Sequence, residues 1–313
     1  MKKIKGFRFG DKATLVLRVT DLQIRKTTSN ADYASFLGFD GTDLFECKMW
    51  SLNDEAKAIL KNGDIYVCDG LIKDYQGKMQ FNISSLRLIT EDDQIDQSSF
   101  YEYAPMDEKE LQNNILSYVG KINNSILKNL VINLLKKYYK EYFTHPAAVS
   151  IHHNYFSGLS YHTYSMLKLS DTYLELYKYL NRDLVYSGII LHDLGKIIEL
   201  SGAKGTEYTL PGNLLGHISI GSNEIYHEAC LEGVEKTSEV ISLLHVILSH
   251  HGLMEYGSPK TPQIAEAVLI HLLDLSDSRM AALEKDITST NKGEFTPPIN
   301  AFDRKMFYVP DID

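Results

Sequence analysis

The hydrophobic pattern of this 313-residue chain changes period once, and that change limits the fold more than any other feature. Up to about residue 90, short apolar segments alternate with turn residues; from 107 to about 285, apolar residues recur at helical spacing. Histidine respects the same divide: all 11 lie between His145 and His271. Residues 1–90 carry 14 Lys+Arg against 11 Asp+Glu, and the remainder 18 against 30. A slightly basic part thus precedes an acidic, histidine-bearing one, and the length suits two domains. The net charge of -9 argues against a protein held to nucleic acid by bulk charge alone. No apolar run is long enough to span a membrane. The basic start, Met1 to Lys5, leads into no apolar h-region, so no signal peptide is expected. Cys47, Cys68 and Cys230 form no CxxC pair. They fit core positions in a reducing compartment, the cytoplasm.

Residues 13–19, 33–39, 44–50, 64–70 and 79–88 read as strands. A short helix over 53–61, with Asn53 as its N-cap, follows the third. Tyr75-Gln-Gly-Lys78 is a hairpin tip. Five short strands with one helix after the third predict an all-β barrel of the OB type over residues 1–90. The segments Val19 to Gln23, Lys48 to Trp50 and Gly70 to Gln80 resemble the OB domains of single-strand-binding and anticodon-binding proteins. Such barrels stack bases on aromatics beside basic groups. The candidates are Tyr33, Phe36, Trp50, Tyr75 and Phe81, with Lys48, Lys73 and Lys78. Alternation sends half of a strand's side chains inward, so each aromatic also has a core reading. Tyr75, at the hairpin tip, is the best placed to be exposed.

Residues 91–106, acidic and ending near Pro105, read as a linker. Asp107 to Glu110 resembles a capping box that opens an all-α domain over 107–313. One helix is expected over 124–143. Its Lys136-Lys-Tyr-Tyr-Lys140 run reads as a solvated face, with RNA contact as the alternative.

Leu184 to Leu191 is apolar almost all round and reads as a buried helix. It ends in His192-Asp193, followed by Leu194-Gly195-Lys196. Buried polar groups need partners. A lone pair of this kind admits two readings, a helix-end hydrogen bond or a metal site. Four other segments favour the metal. His162 sits near the start of a helix, and His217 follows a Gly-rich turn. His250-His251 closes a helix over 240–249, and Asp274 lies on another apolar helix. One bimetal cluster satisfies most of these groups at once. Mixed N/O donors suit octahedral Mn²⁺, Fe²⁺ or Co²⁺ better than structural zinc.

The order His162, His192-Asp193, Asp274 resembles the HD superfamily of metal-dependent phosphohydrolases, and His217 with His250-His251 resembles its two-metal branch. His152 to His162, Tyr186 to Lys196 and His250 to Pro259 are similar to the YhaM family of 3′→5′ exoribonucleases, which joins an OB domain to an HD domain in this order. Ser157 stands where a glycine is expected, and Ser276 and Ser278 flank Asp277. The resemblance implies manganese-stimulated release of nucleoside 5′-monophosphates from single-stranded RNA 3′ ends, with some action on single-stranded DNA. It implies two divalent ions (Mn²⁺, with Fe²⁺, Co²⁺ and Mg²⁺ as alternatives) that clamp the attacking and leaving oxygens.

On that basis His162, His192, Asp193 and Asp274 take the first ion, with Asp193 bridging; His217, His250 and His251 take the second, or one of the adjacent His250-His251 pair contacts the phosphate or leaving group instead. Lys196 steadies the non-bridging phosphate oxygens or pairs with Asp193. His152 and His153 touch the substrate phosphate or terminal base, or shape their loop. His271 reads as an ordinary histidine or, lying one turn before Asp274, as a group that orients that carboxylate. His145, His227 and His245 read as ordinary histidines, and Asp277 is left without an assigned role. Two rival functions stand. One is an HD phosphohydrolase of nucleotides or cyclic dinucleotides with a regulatory OB domain. The other is a binding protein whose HD fold is only structural. A homo-oligomer, left open by the sequence, would add avidity.

Overall fold

Strands β1 (Lys12–Lys26), β2 (Asp32–Phe39), β3 (Leu44–Met49), β4 (Ile65–Tyr75) and β5 (Lys78–Leu88) close into a barrel in the order β1-β2-β3-β5-β4. The computed structural model describes residues 3–149 and 153–312; the candidate His152 lies outside them. All strand pairs are antiparallel except β3 with β5. Helix α1 (Asp54–Ile59) sits between β3 and β4, which is the OB arrangement. Its start is fixed as expected, because the Asn53 side chain accepts the Ala56 N–H at 2.8 Å. The period of two sends Phe36, Cys47, Tyr66, Ile72 and Phe81 inward, each 3% exposed or less. The stretch expected as a linker contains two 3-10 turns, Glu91–Asp93 and Gln97–Phe100. Phe100 from the second packs with Val16, Ile65 and Val67 of the barrel. This compact unit runs to Glu102 and includes Ala203–Gly205; the second comprises Tyr103–Gly202 and the chain from Thr206.

The second unit is helical: α2 (Glu108–Lys121), α3 (Ser125–Lys137), α4 (Tyr139–Thr144), α5 (Gly158–Leu176), α6 (Arg182–Leu191), α7 (Lys196–Glu199), α8 (Leu210–Glu232), α9 (Ser238–Ser249) and α10 (Ala265–Ser289). Asp107 caps α2, accepting from the N–H groups of Lys109 and Glu110. The single helix expected over 124–143 is two, because Tyr138 leaves helical geometry (φ -114°, ψ 24°). Its hydroxyl instead reaches Glu224 at 2.7 Å, a carboxylate shared with Lys137. Helix α6 is the axis of the bundle. Every residue from Leu184 to Leu191 is buried, and α2, α3, α5, α9 and α10 pack around it. Each of its large aliphatic side chains contributes about 1.5–3 kcal/mol of burial. A helix so enclosed holds its C-terminal His and Asp in a fixed place. Among the described residues no helix is long and apolar enough to cross a membrane.

Candidate metal centre and nucleic-acid face

The centre begins at the C-termini of α6 and α9, where both helices end in the same way. The last carbonyls of a helix lack intrahelical partners. His192 Nδ1 donates to the Ile189 carbonyl at 2.7 Å, and His250 Nδ1 donates to the Ile247 carbonyl at 2.7 Å. Each imidazole therefore caps its own helix and turns a bare Nε2 away from it. Two more histidines are held alike. His217 Nδ1 lies 3.1 Å from Glu199 Oε1, and His251 Nδ1 donates to the Tyr256 carbonyl at 2.7 Å. His162, on α5, gives its Nδ1 to Asp277 Oδ2 at 2.6 Å. Five rings are thus anchored through Nδ1, which turns each Nε2 toward the centre.

These Nε2 atoms surround two carboxylates. His192 Nε2 is 3.2 Å and His162 Nε2 3.8 Å from Asp193 Oδ2. His217 Nε2 is 3.5 Å and His250 Nε2 3.7 Å from Asp193 Oδ1. His162 Nε2 is also 3.3 Å from Asp274 Oδ1 and 3.3 Å from His192 Nε2. Two glycines make the approach feasible. A side chain at Gly195 would put its Cβ 2.0 Å from the His217 carbonyl oxygen, so only glycine lets the turn after Asp193 meet α8. Gly216 (φ 72°) breaks α8 just before His217, in the left-handed region that glycine adopts freely.

Burial alone would keep Asp193 neutral, but Lys196 and the histidines outweigh it and hold its carboxyl well below the usual range. Lys196 Nζ pairs with Asp193 Oδ2 at 2.7 Å and stays protonated despite burial. Burial, reinforced by His251 and His192, pulls His250 well below the ordinary imidazole value. For His162 burial opposes the charged form, yet Asp274 and Asp277 prevail and raise its pKa to about 10. Burial also opposes ionisation of Asp277, and its bonds from His153 and His162 lower its pKa in spite of that.

The donor set fits a divalent transition ion. Asp193 Oδ1, His217 Nε2 and His250 Nε2 are buried with no hydrogen-bond partner among the described residues. Two Nε2 lone pairs, on His162 and His192, face each other at 3.3 Å, which a cation or a proton must relieve. The Nε2 and carboxylate oxygens of His162, His192 and Asp193 fall within one coordination-sized group, as do the donors of His217, His250 and His251.

All seven residues expected as ligands therefore meet in one place, and Lys196 meets Asp193. Sequence reasoning missed one group and left the role of another open. Glu199, three residues beyond Lys196, orients His217. Asp277 stands behind His162, where its Oδ2 also accepts from His153 Nε2 at 3.0 Å. His153 is consequently not a surface ring that could meet a base. It is 6% exposed, wedged between Asp277 and the Tyr155 hydroxyl. His271 does not hold Asp274 either; its Nδ1 donates to the His250 carbonyl at 3.0 Å. A cleft of roughly 530 Å³ opens on the centre, lined among others by Lys196, His217, His251, Asp274 and Arg279. That is room for a nucleotide.

On the barrel, Trp50 is 48% and Tyr75 49% exposed. Trp50 stacks on Tyr33 with ring centroids 5.1 Å apart. Lys48 Nζ lies 5.2 Å from the Trp50 ring and 5.4 Å from the Tyr75 ring. Lys73 and Lys78 are exposed on the adjoining β4 and β5. Phe81 is the correction: with 0% exposure it belongs to the barrel core and offers no face to a base. Its register explains this, since along β5 Phe81 shares a face with Met79 and Ile83, both packed in or against the barrel core, opposite the exposed Lys78.

The sequence matches the HD domain model over residues 159–278. The 3′-5′ exoribonuclease YhaM of Geobacillus sp. (strain WCH70) is 38% identical over 99% of this chain and 95% of that protein. That of Listeria monocytogenes is 38% identical over 100% and 99%, and that of Shouchella clausii 37% over 99% and 97%. The second OB-fold domain of replication protein A from Methanococcus maripaludis aligns with 28% of this chain and 93% of its own, at 17% identity and a TM-score of 0.24. An HD domain implies dependence on a divalent metal, which agrees with the buried, unpartnered donors around Asp193. The chain belongs to the YhaM family of 3′-5′ exoribonucleases.

Proposed function

We propose that this enzyme removes nucleotides one at a time from the 3′ end of single-stranded RNA, releasing nucleoside 5′-monophosphates, and that single-stranded DNA is a second substrate. The observation that carries this reading is the convergence of four Nδ1-anchored imidazoles on Asp193 and Asp274, with His251 grouped beside His217 and His250, at a cleft of nucleotide size. Two ions, Mn²⁺ in our reading, would be held by His162, His192, Asp193 and Asp274 on one side and by His217, His250 and His251 on the other, with Asp193 shared. Bound there, they would supply Lewis acidity for attack by water on the phosphodiester. The protein's own groups do the rest. Glu199, Asp277 and the carbonyls of Ile189, Ile247 and Tyr256 keep each Nε2 aimed inward. Lys196 holds Asp193 ionised and offers positive charge to the non-bridging phosphate oxygens as negative charge builds.

The barrel grips the strand. Trp50 and Tyr75 stack on bases, and Lys48, Lys73 and Lys78 contact the backbone, with an affinity that falls as salt rises. His153 serves the loop before α5 in this scheme by supporting Asp277. The buried thiols of Cys47 and Cys68 suit a reducing compartment such as the cytoplasm.

A time course on 5′-labelled single-stranded RNA with Mn²⁺, with and without a chelator, tests the proposal. A ladder shortening from the 3′ end and abolished by the chelator is expected. Intact RNA with hydrolysis of small nucleotides would replace it with the nucleotide phosphohydrolase reading.

A further inference from the structure

Among the described residues two cationic side chains, Lys196 and Arg279, line the cleft, and they differ in what they already hold. Lys196 is committed to Asp193 at 2.7 Å. Arg279, the other, makes no ion pair with a carboxylate among the described residues. It is nevertheless fixed. Its Nη1 donates to the Ala301 carbonyl, and its guanidinium lies over the Phe302 ring, 5.0 Å from the centroid. Phe302 is braced in turn: it belongs to the 3-10 turn Asn300–Phe302 and packs edge-on against Phe307, with centroids 4.9 Å apart. The C-terminal segment thus spends one carbonyl and one aromatic ring on orienting a guanidinium. An arginine has five N–H donors, so most of its hydrogen-bonding capacity is left over for an acceptor in the cleft. A planar fork of this kind matches phosphate oxygens bidentately, which lysine does not.

Position selects the phosphate. Arg279 lies five residues beyond Asp274 on α10, about 7.5 Å along the helix axis at 1.5 Å per residue. Its guanidinium is tied to Ala301 and Phe302, and among the described residues no hydrogen bond or ion pair joins it to the groups around Asp193. Resting on the exonuclease reading above, we infer that Arg279 binds the phosphate of the next linkage upstream, toward the 5′ side of the bond being cut. The site then requires two successive backbone charges, one at the metal centre and one at Arg279. Recognition of this kind is independent of base identity, and it favours a chain over an isolated nucleotide.

The test is a two-by-two comparison with Mn²⁺. One RNA oligonucleotide is all phosphodiester. Its twin carries a neutral methylphosphonate at the second linkage from the 3′ end. Both are given to the wild type and to Arg279→Ala, and release of the first nucleotide is followed under kcat/KM conditions. Loss of a charge-assisted contact is expected to slow the wild type about 10- to 100-fold on the neutral twin. Arg279→Ala should be slowed by a similar factor on the ordinary RNA and no further on the twin. Arg279→Lys should recover part of the rate. Wild-type indifference to the neutral linkage overturns the inference, and so does a variant slowed by that linkage as much as the wild type. A misfolded variant would show a lowered melting temperature, and the wild-type comparison then decides alone. Failure of the wild type on ordinary RNA would instead refute the exonuclease reading.

Discussion

Replacing Asp277 by Asn tests the logic of the centre without touching a group assigned to an ion. The substitution keeps shape and removes charge. Asp277 Oδ2 accepts from His162 Nδ1 at 2.6 Å and from His153 Nε2 at 3.0 Å. A hydrogen bond to a charged group contributes about 1.5–3 kcal/mol and a neutral one about 0.5–1.5, so each bond weakens by about 1 kcal/mol. The two together amount to about 2 kcal/mol, or roughly 30-fold at 1.4 kcal/mol per decade. That lies within the 10–100-fold typical of lost outer partners of metal-binding imidazoles. Activity titrated with Mn²⁺ should therefore show an apparent Kd raised about 10- to 100-fold. At saturating Mn²⁺, kcat should stay close to the wild-type value. An unchanged metal affinity would refute the reasoning. So would a kcat that saturating metal does not restore, because Asp277 would then act at the reaction itself.

Trp50→Ala should weaken single-stranded RNA binding by about 1–3 kcal/mol, while shifting stability by no more than about 0.5 kcal/mol; fluorescence anisotropy and thermal melts check both. Phe81→Ala should do the reverse, destabilising the barrel by about 3–5 kcal/mol through a core cavity. Equal effects of the two on binding would contradict their assignment to surface and core. In metal-stripped protein, stability should peak near pH 6.5. The unfolded chain takes up protons at His250 and His251 below the ordinary value of 6.5 while burial keeps the native rings neutral, so stability falls on the acid side. On the alkaline side native His162 keeps its proton up to about pH 10, so its contribution is full below 6.5 and is lost as pH rises toward 10. Melts in chelator that rise steadily from pH 5 to 9 would contradict this.

The barrel was legible because its strands alternate and its turns are short: Asn53 caps α1 and Tyr75 sits at the hairpin tip, as the residues predict. The bundle axis was legible too, since a run as apolar as Leu184 to Leu191 has no exposed face to offer. The convergence of the candidate ligands could be foreseen because histidines and aspartates at the ends of apolar helices need an explanation in common. What the sequence hides is orientation. Nothing in the spacing says that His162 points Nδ1 at Asp277 rather than at Asp274, or that Glu199 serves His217, since these are long-range contacts set by packing. Phe81 was misjudged although the hairpin register fixes its parity. Tyr138 breaks a helix whose propensity runs on, because its hydroxyl meets a carboxylate 86 residues away. Ser157, at a position where glycine is expected, has φ 64°, so the left-handed conformation is kept and the residue that suits it best is not.

Asp193→Asn addresses the central claim most directly, since both oxygens of Asp193 lie among the converging donors. Single-turnover cleavage and equilibrium binding of the same single-stranded RNA would be measured with Mn²⁺. The account predicts that 3′-end shortening disappears while RNA affinity stays at the wild-type level. Shortening at an undiminished rate would show that the chemistry is done elsewhere.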